Sequence, residues 1–354
     1  MKAFTWIGQP GRVVFGMGAV AGLADELERL GARRALVLCT PEQRGVAQAV
    51  ADRLGSRAAG VFDRAVMHVP LAVALAARER AAALGADCCI AVGGGSTIGL
   101  GKAVALTSGL PIIAVPTTYA GSEMTAIYGL TERGAKQTGR DPKVLPRTVV
   151  YDPELLATLP AAVAGPSGMN AIAHCVEALY AVDANPVVSL MAEEGIRAIA
   201  GALPRAVAAG ADLEARGEVL YGAWLAGAAL NGVSMAIHHK LCHTLGGSFD
   251  LPHADTHTVI LPYATAYNRD AAPHAMARVR RALGAFDDGD AASGLLALAR
   301  AVGARTTLRE IGMPVDGLDR AADLAVHNPY WNPRPVDRDA VRDLLQRAFD
   351  GAAP

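Results

Sequence analysis

The chain has 354 residues, of which 52% are hydrophobic and 5% aromatic, and its formal net charge at pH 7 is -1. This length predicts two domains of ordinary size, each with a core built mainly from Ala, Val and Leu. A charge so close to zero, without any run of Lys and Arg, argues against nucleic-acid and anionic-membrane partners. The N-terminal residues lack the apolar core of a signal peptide, and no segment has about 18 uninterrupted apolar residues. We therefore expect a cytoplasmic protein.

The five cysteines are Cys39, Cys88, Cys89, Cys175 and Cys242, and none of them has CxxC spacing. An odd number without a redox or metal motif predicts reduced thiols in the core. Cys242 lies among histidines and could act as a nucleophile, but a small residue on a packed helix face is the interpretation that we prefer.

The first half of the sequence alternates short β-branched segments with Ala- and Leu-rich segments of helical spacing, as βαβ units do. A helix is predicted around residues 20–30, and strands are predicted at 35–38, 89–92, 111–116 and 148–151. Ligand-binding loops of a parallel sheet begin where such strands end. The sequence therefore predicts an α/β nucleotide-binding domain with a Rossmann-like parallel sheet.

The pattern changes after residue 153, where long segments rich in Ala, Leu and Val take on helical spacing from about residue 167 onwards. Breaks in these helices are predicted at Pro204 and Pro329, because proline interrupts a helix. We therefore predict an all-α catalytic domain over residues 158–354, following the α/β domain over residues 1–157.

A glycine-rich segment, VGGGSTIGLGKA at residues 92–103, follows one predicted strand and opens a predicted helix. Glycine lets backbone N–H groups approach a pyrophosphate closely, and the helix N-terminus adds partial positive charge. The segment is not a Walker loop, because Ser96 stands where that motif needs glycine and Ala103 replaces its magnesium-binding hydroxyl. We predict that residues 93–96 cradle a phosphate, although a tight strand-to-helix turn without a ligand would use the same glycines.

A second segment, PTTYAGSEMT at residues 116–125, also lies beyond a predicted strand and is rich in hydroxyl groups that could bond ribose or phosphate oxygens. Two such loops at one edge of a sheet favour a dinucleotide. The alternative is a polar loop in which a Thr or Ser serves as a cap.

Histidines cluster in the second half of the chain. Asn170 and His174 lie four residues apart, as do His239 and His243, so each pair shares one helix face, and His253 follows. Divalent first-row ions in sites of oxygen and imidazole ligands are normally held with a carboxylate that offsets their charge. The neutral amide of Asn170 offers no such charge.

These segments, in this order, resemble the iron-containing alcohol dehydrogenase superfamily over essentially the whole chain. The resemblance is carried by the two loops, by VVYDPEL, by GMNAIAHCVEA and by HHKLCHTLGGSFDLPHADTHTVILPY. Within the superfamily the chain is most similar to the maleylacetate reductase family, through TGRDPKVLPRTVVYDPEL, the late segment NPYWNPRP, and Asn170 in place of the metal-ligand Asp. The resemblance implies a dehydroquinate synthase-like architecture, NAD(P)H and substrate in a cleft between the domains, and a homodimer.

The resemblance also implies roles for individual residues. The pyrophosphate contacts of the family match Gly93, Gly94, Gly95 and Ser96. The contacts along the nucleotide match Thr117, Thr118 and Ser122, and the contact to the nicotinamide ribose matches Lys136. The residues that match the four metal-ligand positions are Asn170, His174, His239 and His253, while His243 matches a histidine beside the nicotinamide. Since the carboxylate is missing, no metal is expected.

Cofactor choice stays open between NADH and NADPH. Many superfamily members have an Asp after the first strand, where it bonds the ribose 2′-hydroxyl and repels a 2′-phosphate. This chain has Cys39, Thr40 and Pro41 there, with Glu42 just beyond.

The implied reaction is the reduction of the conjugated C=C bond of maleylacetate to 3-oxoadipate, a step in the degradation of aromatic compounds. Hydride would reach the alkene carbon β to the ketone, and the resulting enolate would then be protonated. Because hydrogen bonds can stabilise an enolate oxygen in a water-excluded cleft, we expect His243 and His253 near the reacting end, with His174 and His239 lining the pocket.

The dicarboxylate substrate needs positive charge, for which the candidates are Lys240, Arg140 and Arg334. Each of the three could equally be a solvated surface residue.

Three other functions remain open on the sequence. A metal-dependent alcohol dehydrogenase would hold Zn²⁺ or Fe²⁺ with Asn170 and three histidines. A dehydroquinate-synthase-like lyase would need a metal and a lysine-rich phosphate pocket, neither of which is clearly present. A catalytically silent nucleotide-binding protein would have no use for the retained histidines.

Overall fold

The structure is a computed structural model that describes residues 4–8, 11–132, 135–208 and 212–354, apart from the side chains of residues 135 and 136. The chain forms two compact units, one spanning Gly8–Leu159 and the other combining residues 4–7 with Pro160–Pro354. The division after Leu159 lies close to the predicted boundary at residue 157.

The first unit is built around a parallel sheet. The strands of this unit are β1 (Arg12–Phe15), β2 (Ala35–Leu38), β3 (Ala58–Phe62), β4 (Cys88–Gly93), β5 (Ile112–Pro116), β6 (Ile127–Glu132), β7 (Ala135–Arg140) and β8 (Thr148–Tyr151). Its helices are α1 (Leu23–Arg29), α2 (Arg44–Leu54), α3 (Leu71–Ala83) and α4 (Gly95–Ser108). Six strands pair in the order β1-β8-β5-β4-β2-β3, all parallel, while β6 and β7 form an antiparallel hairpin. The predicted α/β fold and all four predicted strands are confirmed.

Burial separates the strands that were predicted from those that were not. Every residue of β2, β4, β5 and β8 is buried, since the inner strands of a parallel sheet are covered on both faces and are therefore continuous apolar runs. The edge strands β1 and β3 are partly exposed and lack such a run. The helix predicted around residues 20–30 begins at Leu23, after a short 3-10 turn.

The register of the sheet brings the two predicted loops together. In the pairing of β4 with β5, Gly93 lies opposite Pro116. The N–H of Thr117 donates to the carbonyl of Gly93 at 3.2 Å. The glycine-rich loop and the hydroxyl-rich loop therefore begin side by side at the carboxyl edge of the sheet.

The second unit is helical. Its helices are α5 (Ala161–Tyr180), α6 (Pro186–Val207), α7 (Leu213–Gly232), α8 (Ile237–Phe249), α9 (His253–Tyr267), α10 (Pro273–Leu283), α11 (Ala291–Ala301), α12 (Leu318–Val326) and α13 (Arg338–Asp350). Helix α5 packs against α6, α7 and α9, and every one of its residues from 164 to 180 is buried. It is therefore the central helix, and side chains on it reach the core of this unit.

One of the two predicted helix breaks is wrong. Helix α6 continues through Pro204 to Val207, because a proline removes only one backbone hydrogen bond and the neighbouring Leu203 is fully buried, which stabilises the helical turn. Helix α5 begins at Ala161, earlier than predicted, and runs through Pro166 in the same way. The break at Pro329 is confirmed, since α12 ends at Val326.

Within the described ranges, no single helix is long and apolar enough to cross a membrane. The consecutive helices α7 and α8 pass that test only as a pair, by length and composition, and are bent by 96° at the break between them.

Candidate active site

The turn from β4 into α4 is shaped for a close approach of the backbone. Gly94 is the N-cap of α4, in extended conformation, and no side chain of the described residues caps this helix end. A Cβ on Gly94 would lie 3.0 Å from both Cγ2 and Oγ1 of Thr118, so the two predicted loops are in contact at this point. Gly95 and Ser96 follow in the first turn of α4, where backbone N–H groups point away from the helix and can bind an anion.

The hydroxyls of the second loop have different surroundings. Thr117 is buried, and its Oγ1 accepts a hydrogen bond from Gln43 Nε2 at 2.5 Å. Ser122 accepts from the ammonium of Lys102 through both its carbonyl, at 2.7 Å, and its Oγ, at 3.2 Å. Thr118 is only partly buried. The side chain of Lys136 lies outside the described residues.

The predicted histidine positions in the helical unit are brought together. Helix α5 carries Asn170 and His174, helix α8 carries His239 and His243, and His253 begins α9. His174 Nδ1 lies 2.9 Å from His239 Nε2. The ring centres of His239 and His243 are 6.1 Å apart. The set spans the boundary between core and surface, because His174 and His239 are buried while His243 and His253 are exposed.

A buried carboxylate that the sequence analysis missed supports this cluster. Glu177 is fully buried on α5, and its Oε2 lies 2.8 Å from His239 Nδ1. Its two oxygens also accept the backbone N–H groups of Ala236, at 2.8 Å, and His238, at 2.7 Å, which begin α8. Burial raises the pKa of Glu177, while His238 and the backbone N–H groups lower it. The available signal was spacing, since Glu177 follows His174 by one helical turn.

Two more histidines, to which the sequence analysis assigned no individual role, complete the buried part of the cluster. His257 lies one turn after His253 on α9, and the two ring centres are 4.3 Å apart. Ring nitrogens of His238, His239 and His257 lie within 4.8 Å of one another. Burial lowers the pKa of His238 to about 4, and it lowers the pKa values of His239 and His257 well below the usual range. These three rings are therefore neutral at pH 7.

The potential metal ligands in this cluster carry too little negative charge for a divalent metal ion. Asn170 Oδ1 is buried and accepts no hydrogen bond from the residues that the structure describes, so its lone pairs are available to a ligand. It belongs to a neutral amide, and the carboxylate beside the cluster, Glu177, is occupied by N–H donors. Oxygen-and-imidazole sites for divalent first-row ions usually include a carboxylate ligand. These residues therefore do not fit a divalent iron well.

At the exposed end of the cluster, His243 meets an aromatic residue that sequence reasoning did not assign to the site. His243 Nδ1 lies 3.1 Å from the hydroxyl of Tyr330, which belongs to the NPYWNPRP segment. Lys240 donates to the carbonyl of His327 at 3.0 Å, and its ammonium lies 5.9 Å from the centre of the Tyr330 ring. An exposed donor pair and a cation thus lie next to one another.

The two predicted arginines are placed differently. Arg334 stacks on Tyr267, with the guanidinium carbon 4.1 Å from the ring centre, and its Nη1 donates to the Tyr267 carbonyl at 3.4 Å. Arg140 is exposed at the end of β7, in the first unit.

Cys242 is a core thiol, as predicted. It is buried with its Sγ 3.6 Å from His238 Nε2, and burial raises the pKa of the thiol well above the usual range. The other four cysteines are buried and free as well. A thiol that stays protonated is a poor nucleophile.

Comparison with known proteins agrees with this geometry. The sequence model "Iron-containing alcohol dehydrogenase" matches residues 10–153, and "Fe-containing alcohol dehydrogenase family, C-terminal" matches residues 165–349. The chain is 60% identical to a maleylacetate reductase of Burkholderia cepacia, with 100% of both chains covered. It is 57% identical to one from Sphingobium indicum, covering 98% of this chain and 97% of the relative.

A solved structure extends the likeness to three dimensions. The crystal structure of maleylacetate reductase from Agrobacterium tumefaciens superposes with a TM-score of 0.95 at 52% identity and covers 100% of both chains. The two family matches together span both units, and the relatives match over essentially their whole length. The chain therefore belongs to the iron-containing alcohol dehydrogenase family.

Proposed function

We propose that this protein uses NAD(P)H to reduce the conjugated C=C bond of maleylacetate to 3-oxoadipate, in the degradation of aromatic compounds, without a bound metal ion. The observation that carries the proposal is a cluster of histidines on α5, α8 and α9, together with a buried amide on α5, Asn170, where the family resemblance implies a metal-ligand carboxylate. Relatives that match the chain from end to end are named maleylacetate reductase, which supports the same reaction.

The glycine-rich turn and its neighbouring loop suit a dinucleotide. A side chain at Gly94 would meet Thr118, and the uncapped N-terminus of α4 offers backbone N–H groups. Residues 93–96 hold the pyrophosphate in this proposal, and Thr117, Thr118 and Ser122 line the nucleotide. The contact of Lys136 with the nicotinamide ribose stays a prediction. The reduced nicotinamide, NADH or NADPH, supplies the hydride when bound.

The hydrogen bonds in the helical unit indicate which histidine can donate a proton to the substrate. Both oxygens of Glu177 accept hydrogen bonds from backbone N–H groups, as a carboxylate does. Because Oε2 is then an acceptor for His239 as well, it favours a proton on His239 Nδ1. The Nε2 of a neutral His239 then accepts from Nδ1 of His174. A neutral imidazole carries one proton, so His239 has no second N–H to give to a substrate. We therefore assign the donor to the developing enolate oxygen to His243 with Tyr330, and the exposed His253 remains a second candidate.

Lys240 is the best placed of the three candidate cations for a substrate carboxylate. Its ammonium lies beside Tyr330 and makes only one protein hydrogen bond that the structure records, to the carbonyl of His327. An ammonium has three donors, so a carboxylate can be added to that set. Arg334 and Arg140 remain secondary candidates in the proposal.

The proposed reaction also suggests where the protein acts and what it binds. We propose a cytoplasmic homodimer that takes a dicarboxylate small molecule and binds neither nucleic acid nor membrane. The formal net charge of -1 supports the last two points, because nucleic acid and anionic lipid are attracted by concentrated positive charge.

The test of this function is NADH consumption with maleylacetate, run beside simple alcohols with NAD⁺, each with and without EDTA. We expect maleylacetate to be reduced at the same rate in the presence of EDTA and the alcohols to be oxidised slowly or not at all. Metal content after purification without chelator is measured on the same sample. Alcohol oxidation that stops with EDTA would contradict the proposal.

A metal-dependent alcohol dehydrogenase is the second candidate function. The observation that favours it is the proximity of His238, His239 and His257, together with the unbonded oxygen of Asn170 among the described residues. Three imidazoles can hold Zn²⁺ more readily than Fe²⁺, because zinc accepts nitrogen-rich sites. One ion per chain, lost with activity on dialysis against EDTA, would establish this candidate instead.

Replacing Glu177 with glutamine is expected to destabilise the helical unit and to slow the reaction by about tenfold. One carboxylate oxygen becomes an NH₂ group that faces N–H donors, and leaving buried donors unpaired costs about 1–3 kcal/mol. The proton on His239 also loses its fixed acceptor. Unfolding in urea and kcat measure the two effects. The control is Glu79→Gln, at an exposed position on α3, and an equal response in both variants would contradict the role of Glu177.

A further inference from the structure

Lys102 is a fully buried lysine in the first unit, and neither the phosphate cradle nor the histidine cluster accounts for it. It lies on α4, and its Nζ donates to the carbonyls of Ser122 and Ile127, at 2.7 Å each, and to Thr125 Oγ1 at 2.9 Å. Three donors thus meet three acceptors, with Ser122 Oγ also within 3.2 Å. A buried ammonium persists only when it is satisfied in this way.

The acceptors of Lys102 all belong to one segment. Residues 122–127 end the hydroxyl-rich loop and lead into β6. Thr125 Oγ1 itself donates to the Ser122 carbonyl at 3.1 Å, which closes a ring of hydrogen bonds around the ammonium. The first turn of α4 is the glycine-rich loop, so Lys102 joins the helix of one nucleotide loop to the backbone of the other.

A second buried charge anchors the same segment from the sheet. Glu123 is fully buried, and its Oε1 accepts from the Tyr151 hydroxyl, on β8, at 2.8 Å. Burial lowers the pKa of Lys102 to about 7 and raises that of Glu123, and each charge opposes the shift of the other. Residues 122–127 are therefore held by α4 on one side and β8 on the other.

We infer that Lys102 is a positioning residue for the nicotinamide cofactor, an inference that rests on the proposed function. Lys102 holds the loop that carries Thr118 and Ser122 at a fixed distance from the glycine-rich turn. The two loops are so close there that a Cβ on Gly94 would meet the side chain of Thr118. Without Lys102, the loop would have to become ordered when the cofactor binds, and the free energy of this ordering would lower the affinity for the cofactor. Lys102 acts on no reacting atom, so turnover at saturating cofactor is retained.

The experiment replaces Lys102 with methionine, an unbranched apolar side chain that can fill the same space. The dissociation constant of NADH, measured by the fluorescence of the reduced nicotinamide, is expected to rise by about tenfold or more. The KM for NADH rises in parallel, whereas kcat and the KM for maleylacetate change by less than about twofold. The matched control is Lys143→Met, at an exposed lysine of the same unit, which is expected to bind NADH like the wild type.

A double variant, Lys102→Met with Glu123→Gln, separates positioning from folding. The single variant leaves Glu123 buried without its cation, which destabilises the unit; the double variant removes both charges and keeps an acceptor for Tyr151. We expect its Tm to return towards the wild-type value while NADH binding stays weak. Recovery of affinity together with Tm, wild-type affinity in either variant, or a double variant that does not fold would overturn the inference. Failure of the proposed function is distinct, because the wild type would then bind no NADH or would not reduce maleylacetate.

Discussion

Replacing His243 with alanine is expected to lower kcat for maleylacetate reduction by about 10²- to 10⁴-fold, the range that a positioned general acid contributes. His243 is exposed and its Nδ1 lies 3.1 Å from the Tyr330 hydroxyl, so the pair can give a hydrogen bond or a proton to an enolate oxygen. In the proposed hydrogen-bond chain, the Nδ1 protons of His174 and His239 point to His239 and to Glu177, so neither Nδ1 proton faces the substrate. Steady-state kinetics at saturating NADH measures the loss.

Three comparisons make the result specific. His274→Ala removes an exposed histidine on α10 and is expected to leave kcat unchanged. Tyr330→Phe removes the hydroxyl, and its loss combined with that of His243→Ala is expected to be less than additive, because the two groups act together. Added imidazole is expected to restore part of the activity of His243→Ala but none of that of Tyr330→Phe. Full activity in His243→Ala would exclude this histidine from the mechanism.

The fold was predictable where burial leaves a simple pattern. Strands β2, β4, β5 and β8 are buried at every residue, so each is an apolar run bounded by loop residues. Strand β3, AAGVF, is short of β-branched residues, and its pairing with β2 shifts in register after Ala35, which no local pattern specifies. Pro204 misled the prediction for the opposite reason, since tertiary packing around Leu203 outweighs the local effect of proline.

The candidate site was predictable where chemistry follows helical spacing or a loop motif. His174, His239 and His243 could be grouped by the four-residue repeat, and the structure brings them close to one another. Helical spacing also places Glu177 one turn after His174, but it does not reveal the contact of Glu177 with His239, 62 positions away. Nor does any spacing reveal the contact of Tyr330 with His243, 87 positions away. A contact across such a separation is a property of the folded chain and leaves no periodic signal.

Replacing Asn170 with aspartate is expected to convert the histidine pocket into a metal site. Asn170 Oδ1 is already buried and free of hydrogen bonds from the described residues, so a carboxylate oxygen at the same place would have no competing donor. Together with His174, His239 and His253 it would supply the charge that a divalent ion needs. Elemental analysis after incubation with Zn²⁺ and desalting is expected to show about one ion per chain in the variant and a trace amount in the wild type.

Stability gives a second, independent measure of the same change. Without metal, the variant carries an added buried charge among neutral imidazoles, and we expect it to lose about 3 kcal/mol of unfolding free energy. Zinc at about 100 times its dissociation constant would return about 2.7 kcal/mol, because it binds only the folded state. The Tm of the variant is therefore expected to rise with added Zn²⁺, while that of the wild type stays constant.

Activity should move in the opposite direction to metal affinity. The metal-free variant places a negative charge beside a pocket in which an anionic substrate develops an enolate, so like charges repel and kcat for maleylacetate is expected to fall. Adding His253→Ala to the aspartate variant removes a ligand and is expected to abolish the zinc-dependent rise in Tm. A wild type that already retains one ion per chain, or an aspartate variant that binds none, would show that the residue at position 170 does not decide metal binding. The absence of a carboxylate at that one position would then no longer explain a metal-free reductase.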